Sequence, residues 1–515
     1  MSETIAVPEA FAGLVDLTSE ALGAFALYAT DDYFAEKENL LKAAAPIWIE
    51  GKFTDKGKWM DGWESQRKRE PGHDFCIIRL GLPGHVRGFV VDTTHFRGNA
   101  PQEVAIEGLA ADQTATPAQL NASDQWRDLL PKSPVRPNFP NEFTIPQSAR
   151  VTHLRLRIFP DGGVARLRTW GVVSPGGRTF WQAGSIDLAA VENGGTVAAE
   201  SDQFFGPATN LLLPGRGVNM GDGWETKRRR TPGSDWCVIK LGRRGVIDRI
   251  ELDTHFFKGN APQATCIELL DEEAIGADEL AKRMRAPQGW TPLLSRTPLV
   301  QHRRHELAPE RPLVATHVRV HMFPHGGINR LRLYGHAVDT REEKRALSSF
   351  NALPLEEASA LALSFNGSTR WAAMMLALRP LQSVRALFTA AEAAWWSLDE
   401  TAFLEAFAAH PRIGDTQKAA VQTEKSGDWS KAEQSGTAGA QQSTMERLHM
   451  LNALYRERFG FIFICFATGR SAEEMLALLE ARVENDRATE IENAAREQAK
   501  ITRLRIEKWL TSQFA

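Results

Sequence analysis

The sequence predicts a multidomain protein in which two all-β, jelly-roll-like sandwiches precede an all-α helical domain. Three observations carry that prediction. Residues 60–109 align without a gap on residues 221–270, with roughly half of the positions identical. Within each copy, short apolar runs are punctuated by Gly and Pro clusters, as in a sandwich of short strands. Beyond residue 350, Ala-, Leu- and Glu-rich stretches of helical period take over and β-branched residues thin out.

The repeat extends well beyond its ungapped part. Asp61-Gly62-Trp63-Glu64 returns as Asp222-Gly223-Trp224-Glu225, Arg67 and Arg69 as Arg228 and Arg230, and Pro71-Gly72 as Pro232-Gly233. Gly98-Asn99-Ala100-Pro101-Gln102 returns as Gly259-Asn260-Ala261-Pro262-Gln263. Phe159-Pro160-Asp161-Gly162-Gly163 is echoed by Phe323-Pro324-His325-Gly326-Gly327, and Arg166-Leu167-Arg168 by Arg330-Leu331-Arg332. A unit this long is a whole domain rather than a solenoid repeat. The copies are set at residues 25–175 and 176–338, behind a lead segment 1–24.

Strands are expected at Cys76-Ile77-Ile78-Arg79-Leu80 and at His153-Leu154-Arg155-Leu156-Arg157-Ile158. The second puts Leu154, Leu156 and Ile158 on one face and His153, Arg155 and Arg157 on the other, the alternation of a half-buried strand. Turns are expected at Gly81-Leu82-Pro83-Gly84, Pro160-Asp161-Gly162-Gly163 and Pro175-Gly176-Gly177. Helix is confined to patches around residues 36–41 and 272–284. Residues 339–349 read as a charged link. The helical domain spans 350–515, with helices over 472–485 and 490–510 and a polar loop over 407–436, where a rigid bundle places chemistry.

Composition narrows the class. The 515 residues are 43% hydrophobic and 24% charged, with a formal net charge of -3, which gives no electrostatic footprint for nucleic acid or an anionic membrane surface. No apolar run approaches the roughly 20 residues that span a bilayer. The four cysteines show no paired metal spacing, and Cys76 and Cys237 fall at matching strand positions, as buried free thiols do. A reducing cytoplasm is the expected compartment. His317, His321 and His325 would share one strand face, but with no carboxylate in register they do not read as a metal site. The partners expected are small molecules, and a homo-oligomer is the expected state.

The β repeats, with Asp-Gly-Trp-Glu, the Arg pair and Asp-Thr-x-x-Phe-x-Gly-Asn-x-Pro, resemble allantoicase over residues 25–336. The resemblance implies hydrolysis of allantoate to ureidoglycolate and urea. The residue inventory suits it. Arginine offers a planar fork for a carboxylate, carboxylates and amides match ureido groups, and urea loss needs a proton at the leaving nitrogen. The candidates are Asp222, Glu225, Arg228, Asp253, His255 and Asn260, with Asp61, Glu64, Arg67, Asp92, His95 and Asn99 as first-copy counterparts. His95 aligns one position away from His255. On an extended strand, neighbours face opposite ways, so either one histidine alone is catalytic or the stretch is a loop. Structural readings compete: Trp63 and Trp224 as core, Asp92 and Asp253 as turn formers, the Gly-Asn pairs as turns, and the Arg pairs as a solvated face. Jelly-roll domains also serve as ligand-binding modules, and in the alternative reading residues 25–336 only bind while the helical domain alone is catalytic.

The last domain resembles 2-oxo-4-hydroxy-4-carboxy-5-ureidoimidazoline (OHCU) decarboxylase. The resemblance rests on Phe350-Asn351-Ala352-Leu353-Pro354, Ala409-His410-Pro411-Arg412-Ile413-Gly414, Ser430-Lys431-Ala432-Glu433-Gln434, Leu451-Asn452, Tyr455, Phe459-Gly460-Phe461-Ile462-Phe463 and Lys500-Ile501-Thr502-Arg503-Leu504-Arg505. It implies a cofactor-free decarboxylation giving (S)-allantoin, in which the protein positions the substrate and protonates a carbanion on one face. The implied roles fall on His410 as acid, Glu433 as its orienter and Arg505 for substrate anions, with Arg503 and Arg470 as alternative registers. Pro411, Ser430, Gln434 and the segment Phe461, Ile462, Phe463, Ile464 and Cys465 are implied as substrate contacts. An ionised Glu433 beside His410 would favour imidazolium.

Overall fold

The computed structural model describes residues 7–174, 184–410, 442–467, 470 and 472–513. The chain forms two compact units, Met1–Val338 and Asp339–Ala515.

The first unit contains two antiparallel eight-stranded sheets of identical order. In one, Val15–Asp16, Arg166–Val173, Asp74–Asp92, Arg150–Phe159, Glu103–Leu109 and Arg127–Pro134 follow one another, and Phe25–Ala29 and Pro140–Thr144 also pair with Asp74–Asp92. In the other, the order is Ile186–Asp187, Arg330–Ala337, Asp235–Asp253, Val314–Phe323, Ala264–Leu270 and Thr291–Pro298, with Thr196–Glu200 and Arg304–Leu307 on Asp235–Asp253. The 19-residue strand Asp74–Asp92 serves both layers of its sandwich: residues 74–79 pair with Arg150–Phe159, and residues 84–92 with Arg166–Val173. The run Gly81-Leu82-Pro83-Gly84, expected as a turn, is instead a bend within this continuous strand. A Cβ at Gly84 would sit 2.6 Å from the Val172 carbonyl oxygen, so only glycine admits the close approach that the bend creates. The turn expected at Pro175-Gly176-Gly177 lies outside the described residues.

Leu154, Leu156 and Ile158 are buried in the sandwich, and Arg155 and Arg157 are half-buried on the other face, as alternation requires. His153, expected beside those arginines, is fully buried. Its face carries an apolar cover of its own, in which Leu120 of the helix Pro117–Ala122 and Trp126 pack on Ile77 and Leu109. The described part of the segment read as a lead, residues 7–24, belongs to the first sandwich. Val15–Asp16 pairs with Arg166–Val173, Leu17 is buried, and Phe11 stacks on Trp170 at 6.1 Å. Cys76 and Cys237 are buried free thiols, their pKa values pushed up by burial.

The second unit has eight helices among the described residues: Arg341–Ala352, Leu355–Asn366, Thr369–Ala377, Val384–Trp396, Glu400–Ala408, Gln442–Phe459, Ala472–Arg482 and Arg487–Ser512. The expected link 339–349 is largely the first of these. Thr340 and Glu343 form a reciprocal cap at its start, and Phe350 packs edge-on to Trp509 at 5.8 Å. The 26-residue Arg487–Ser512 is the axis against which Leu355–Asn366, Val384–Trp396 and Glu400–Ala408 pack. Trp395 is buried and its neighbour Trp396 is exposed. Among the described residues no helix is long and apolar enough to cross a membrane.

Candidate active sites

In each sandwich the Asp-Gly-Trp-Glu motif ends in a two-residue strand. Trp63–Glu64 pairs with Gly163–Val164, and Trp224–Glu225 with Gly327–Ile328. Both tryptophans are fully buried, and each indole N–H donates to a backbone carbonyl, of Asp31 and Asp202 respectively, so they are core residues. The neighbouring glutamate turns outward and meets the Gly-Asn turn. Asn99 Nδ2 donates to Glu64 Oε1 at 2.7 Å, and Asn260 Nδ2 to Glu225 Oε1 at 2.5 Å. Burial raises the pKa of both carboxyls, and the asparagine bond offsets the rise only in part. Each pair thus holds one carboxyl that keeps its proton to higher pH than an ordinary glutamate.

The stretch carrying the misaligned histidines is a loop in both copies, which resolves the register conflict. His95 and its counterpart Phe256 both adopt left-handed backbone, at φ 72° and 70°. Asp92 Oδ1 accepts from Thr94 N and Asp253 Oδ1 from His255 N, each at 2.8 Å, so both aspartates form the turn. Asp253 also pairs with Arg216 at 3.1 Å. His95 bonds the Pro46 carbonyl at 3.1 Å and lies against Trp48, whereas His255 stacks on His302 at 4.1 Å.

Asp61 and Asp222 diverge. Asp61 is buried and ion-paired with Arg166 at 2.7 Å. Burial opposes its ionisation, but Arg166, the Ile47 N–H and Lys42 together hold its pKa below the usual range. Asp222 is half-buried, and its carboxylate accepts from Val218 N at 2.6 Å and Asn219 N at 3.3 Å. Arg67, Arg69, Arg228 and Arg230 are exposed. The arginines buried beside the motif are Arg166 and Arg330, which the sequence displays as an echo between repeats without marking them as site residues. His321 does have a carboxylate partner, Glu268 at 3.0 Å, which Arg319 shares. Among the described residues no group of three His, Cys, Asp or Glu is placed to hold a metal ion.

In the helical unit, His410 follows the helix Glu400–Ala408, and its ring Nε2 is buried with no hydrogen-bond partner. Burial first, and then the Arg505 guanidinium, push its pKa down to about 3, with the Gln498 amide partly offsetting. Burial, and then the facing guanidinium, favour the neutral ring; the imidazolium expected beside an ionised Glu433 rests on a residue outside the described ones. Arg505 is buried and donates to the Ser364 carbonyl at 3.3 Å. Gln498, Thr502 and Asn366 complete a buried polar group: Gln498 Nε2 donates to the Asn366 carbonyl at 3.1 Å, and Asn366 Nδ2 to Thr502 Oγ1 at 3.0 Å. These three were not singled out in the sequence, although Gln498, Thr502 and Arg505 share one face of a helix through their four- and three-residue spacing.

Arg470 and Arg503, the alternative registers, line a different space, a cavity of about 590 Å³ shared with Phe388, Trp395, Glu497 and Lys500. Phe461, Phe463, Ile464 and Cys465 are buried and Ile462 is half-buried. Their segment is pinned from outside: Arg482 Nη1 donates to the Ile464 carbonyl at 2.9 Å while Arg482 pairs with Glu490, which also accepts from Tyr455 at 2.5 Å. Pro411, Ser430, Glu433 and Gln434 lie outside the described residues.

Residues 15–174 and 186–338 match the allantoicase repeat model, and residues 351–507 match the OHCU decarboxylase model. An allantoicase of Dictyostelium discoideum is 44% identical over 323 residues, 62% of this chain and 86% of that protein. The crystal structure of an allantoicase from Saccharomyces cerevisiae superposes with a TM-score of 0.54 at 35% identity, over 63% of this chain and 93% of that one. An OHCU decarboxylase crystallised in the presence of (S)-allantoin is 36% identical over 29% of this chain and 96% of its own, with a TM-score of 0.25.

Proposed function

The chain belongs to the allantoicase family and carries an OHCU decarboxylase domain behind its two repeats, and from that premise we propose how its residues divide two reactions of ureide breakdown. The β unit hydrolyses allantoate to (S)-ureidoglycolate and urea, and the helical unit decarboxylates OHCU to (S)-allantoin.

For urea release, Glu225 acts as general acid. Its raised pKa favours the protonated form that can deliver a proton to the leaving ureido nitrogen, and Asn260 fixes its orientation. Water adds to the carbon that urea leaves, so that one water is consumed for each urea released. The observation that carries this role is the identical Glu–Asn pairing in both sandwiches, at the same place in the motif.

For decarboxylation, Arg505 takes a substrate carboxylate and His410 manages the proton. A buried neutral imidazole facing a guanidinium is a poor acid, but a carboxylate seated against Arg505 offsets the part of the depression that Arg505 adds to burial, and so helps His410 to hold the proton that the carbanion needs. Glu433 as orienter and Ser430 and Gln434 as ureido partners belong to this proposal through the family motif alone. The test is direct: the purified chain should release urea from allantoate and convert OHCU to a single allantoin enantiomer. Release of no urea, with decarboxylation intact, would favour ligand-binding β domains instead.

A further inference from the structure

The two sandwiches differ in how they treat one buried arginine. In the first, every nitrogen of Arg166 has a partner: Nη2 pairs with Asp61 Oδ2 at 2.7 Å, Nη1 donates to the Asp61 and Ala165 carbonyls at 2.9 and 2.8 Å, and Nε donates to the Ala44 carbonyl at 2.9 Å. In the second, Arg330 is 6% exposed and bonds through Nη1 alone, to the carbonyls of Asp222 at 2.6 Å and Asn329 at 2.8 Å and to Asn329 Oδ1 at 3.1 Å. Its Nε is buried with no partner. Among the described residues no carboxylate forms an ion pair with it.

One difference of side-chain direction and one of sequence produce this. The Asp222 carboxylate, equivalent to Asp61, is turned onto the backbone N–H groups of Val218 and Asn219. The residue before the arginine is Ala165 in one copy and a fully buried Asn329 in the other, and a neutral amide cannot balance the cation. A buried cation with no direct ion pair is costly to hold, since the Asp222 and Asp253 carboxylates favour its charge only at longer range, and an arriving anion offsets that cost. The position suits a substrate. Arg330 lies two residues beyond Gly327–Ile328, the strand paired with Trp224–Glu225, and its Nη1 donates to the Asp222 carbonyl two residues before Trp224, which ties the guanidinium to the backbone of the same motif.

We propose that Arg330 is the carboxylate anchor of the allantoate site, that the second sandwich is the working copy, and that the first has closed the same site with its own Asp61. This rests on the allantoicase reading of the β unit. The anchor takes a small carboxylate bearing ureido groups, and Arg330 presents the guanidinium edge left unbonded by Asp222 and Asn329.

The experiment uses the full chain and two ligands: allantoate, followed by urea release, and hydantoate (ureidoacetate), an inert carboxylate with one ureido group, followed by calorimetric titration. Asn329→Asp supplies the internal counter-ion that Asp61 supplies in the first copy. It should weaken hydantoate binding and raise the KM for allantoate by about tenfold or more, while OHCU decarboxylation by the same protein holds. Arg330→Gln should weaken hydantoate binding at least as much. Unchanged hydantoate binding in both variants overturns the anchor. A wild-type chain that binds hydantoate through Arg330 yet releases no urea overturns the hydrolase reading and leaves the anchor standing.

Discussion

Asn260 donates to Glu225 at 2.5 Å, and the same contact recurs between Asn99 and Glu64 at 2.7 Å. It ties the Gly-Asn turn to the Asp-Gly-Trp-Glu strand, two motifs separated by some thirty residues in each repeat, and leaves both carboxyls with raised pKa values.

Glu225→Gln should therefore slow urea release by roughly a hundred- to ten-thousand-fold, the usual contribution of a positioned acid. A raised carboxyl pKa means that the active, protonated form is lost as pH rises through that value. Asn260→Ala removes the bond that lowers the pKa, so the alkaline limb of kcat should move to higher pH. A limb that stays in place in the alanine variant would assign the titration to another group.

Buried histidines set an acid limit on the β unit. His153 and His317 occupy equivalent strand positions, and burial, aided by nearby cations, lowers each pKa from 6.5 to about 4. The unfolded chain binds more protons than the folded one between those values, so stability is full above pH 6.5 and falls as pH drops toward 4. The loss should reach a few kcal/mol for the pair. Calorimetric melting of wild type against a His153→Gln, His317→Gln double variant would measure it, and identical pH slopes would contradict it.

The helical unit should fold alone only if its first helix is kept. A fragment of residues 339–515 retains the Thr340 cap and the buried Ala346, Leu347 and Phe350, whereas one starting at residue 349 loses the cap, Ala346 and Leu347. The shorter fragment should be less stable by about 3 kcal/mol or more. Equal urea midpoints for the two would show that this helix is dispensable.

Arg505→Gln removes the cation that faces His410, so the His410 pKa should rise from about 3, with burial still holding it below 6.5. The shift can be followed by NMR of labelled histidines, with His410→Asn identifying the signal. Decarboxylation should lose substrate affinity in the same variant. An unmoved titration would break the link between the two residues.

Much of this organisation was legible in the sequence, because duplicated domains repeat their constraints. Gly223 recurs with Gly62 since a Cβ there would meet the Ile328 carbonyl oxygen and the Phe257 ring at 2.8 Å. The strand alternation of Leu154, Leu156 and Ile158 followed from period two. What the sequence hid were relationships between distant segments. Gly81 to Gly84 carries the composition of a turn, but the strands paired on either side keep the strand running. The asymmetry between Arg166 and Arg330 depends on which way one aspartate side chain turns, and identical motifs conceal it. His410 was legible as a residue, but its lowered pKa was not, since that depends first on burial and then on Arg505, 95 positions later in the chain.

The central claim is that one chain holds two independent catalytic centres, and a single paired assay of His410→Asn tests it. Allantoate and OHCU would be supplied to the purified variant in parallel, with urea measured in one and allantoin enantiomers resolved in the other. The expected result is urea release at the wild-type rate together with racemic allantoin from spontaneous decay, the enzymatic rate having fallen roughly a hundred- to ten-thousand-fold. Enantiopure allantoin at a near-normal rate, or a matching loss of urea release, would contradict the account.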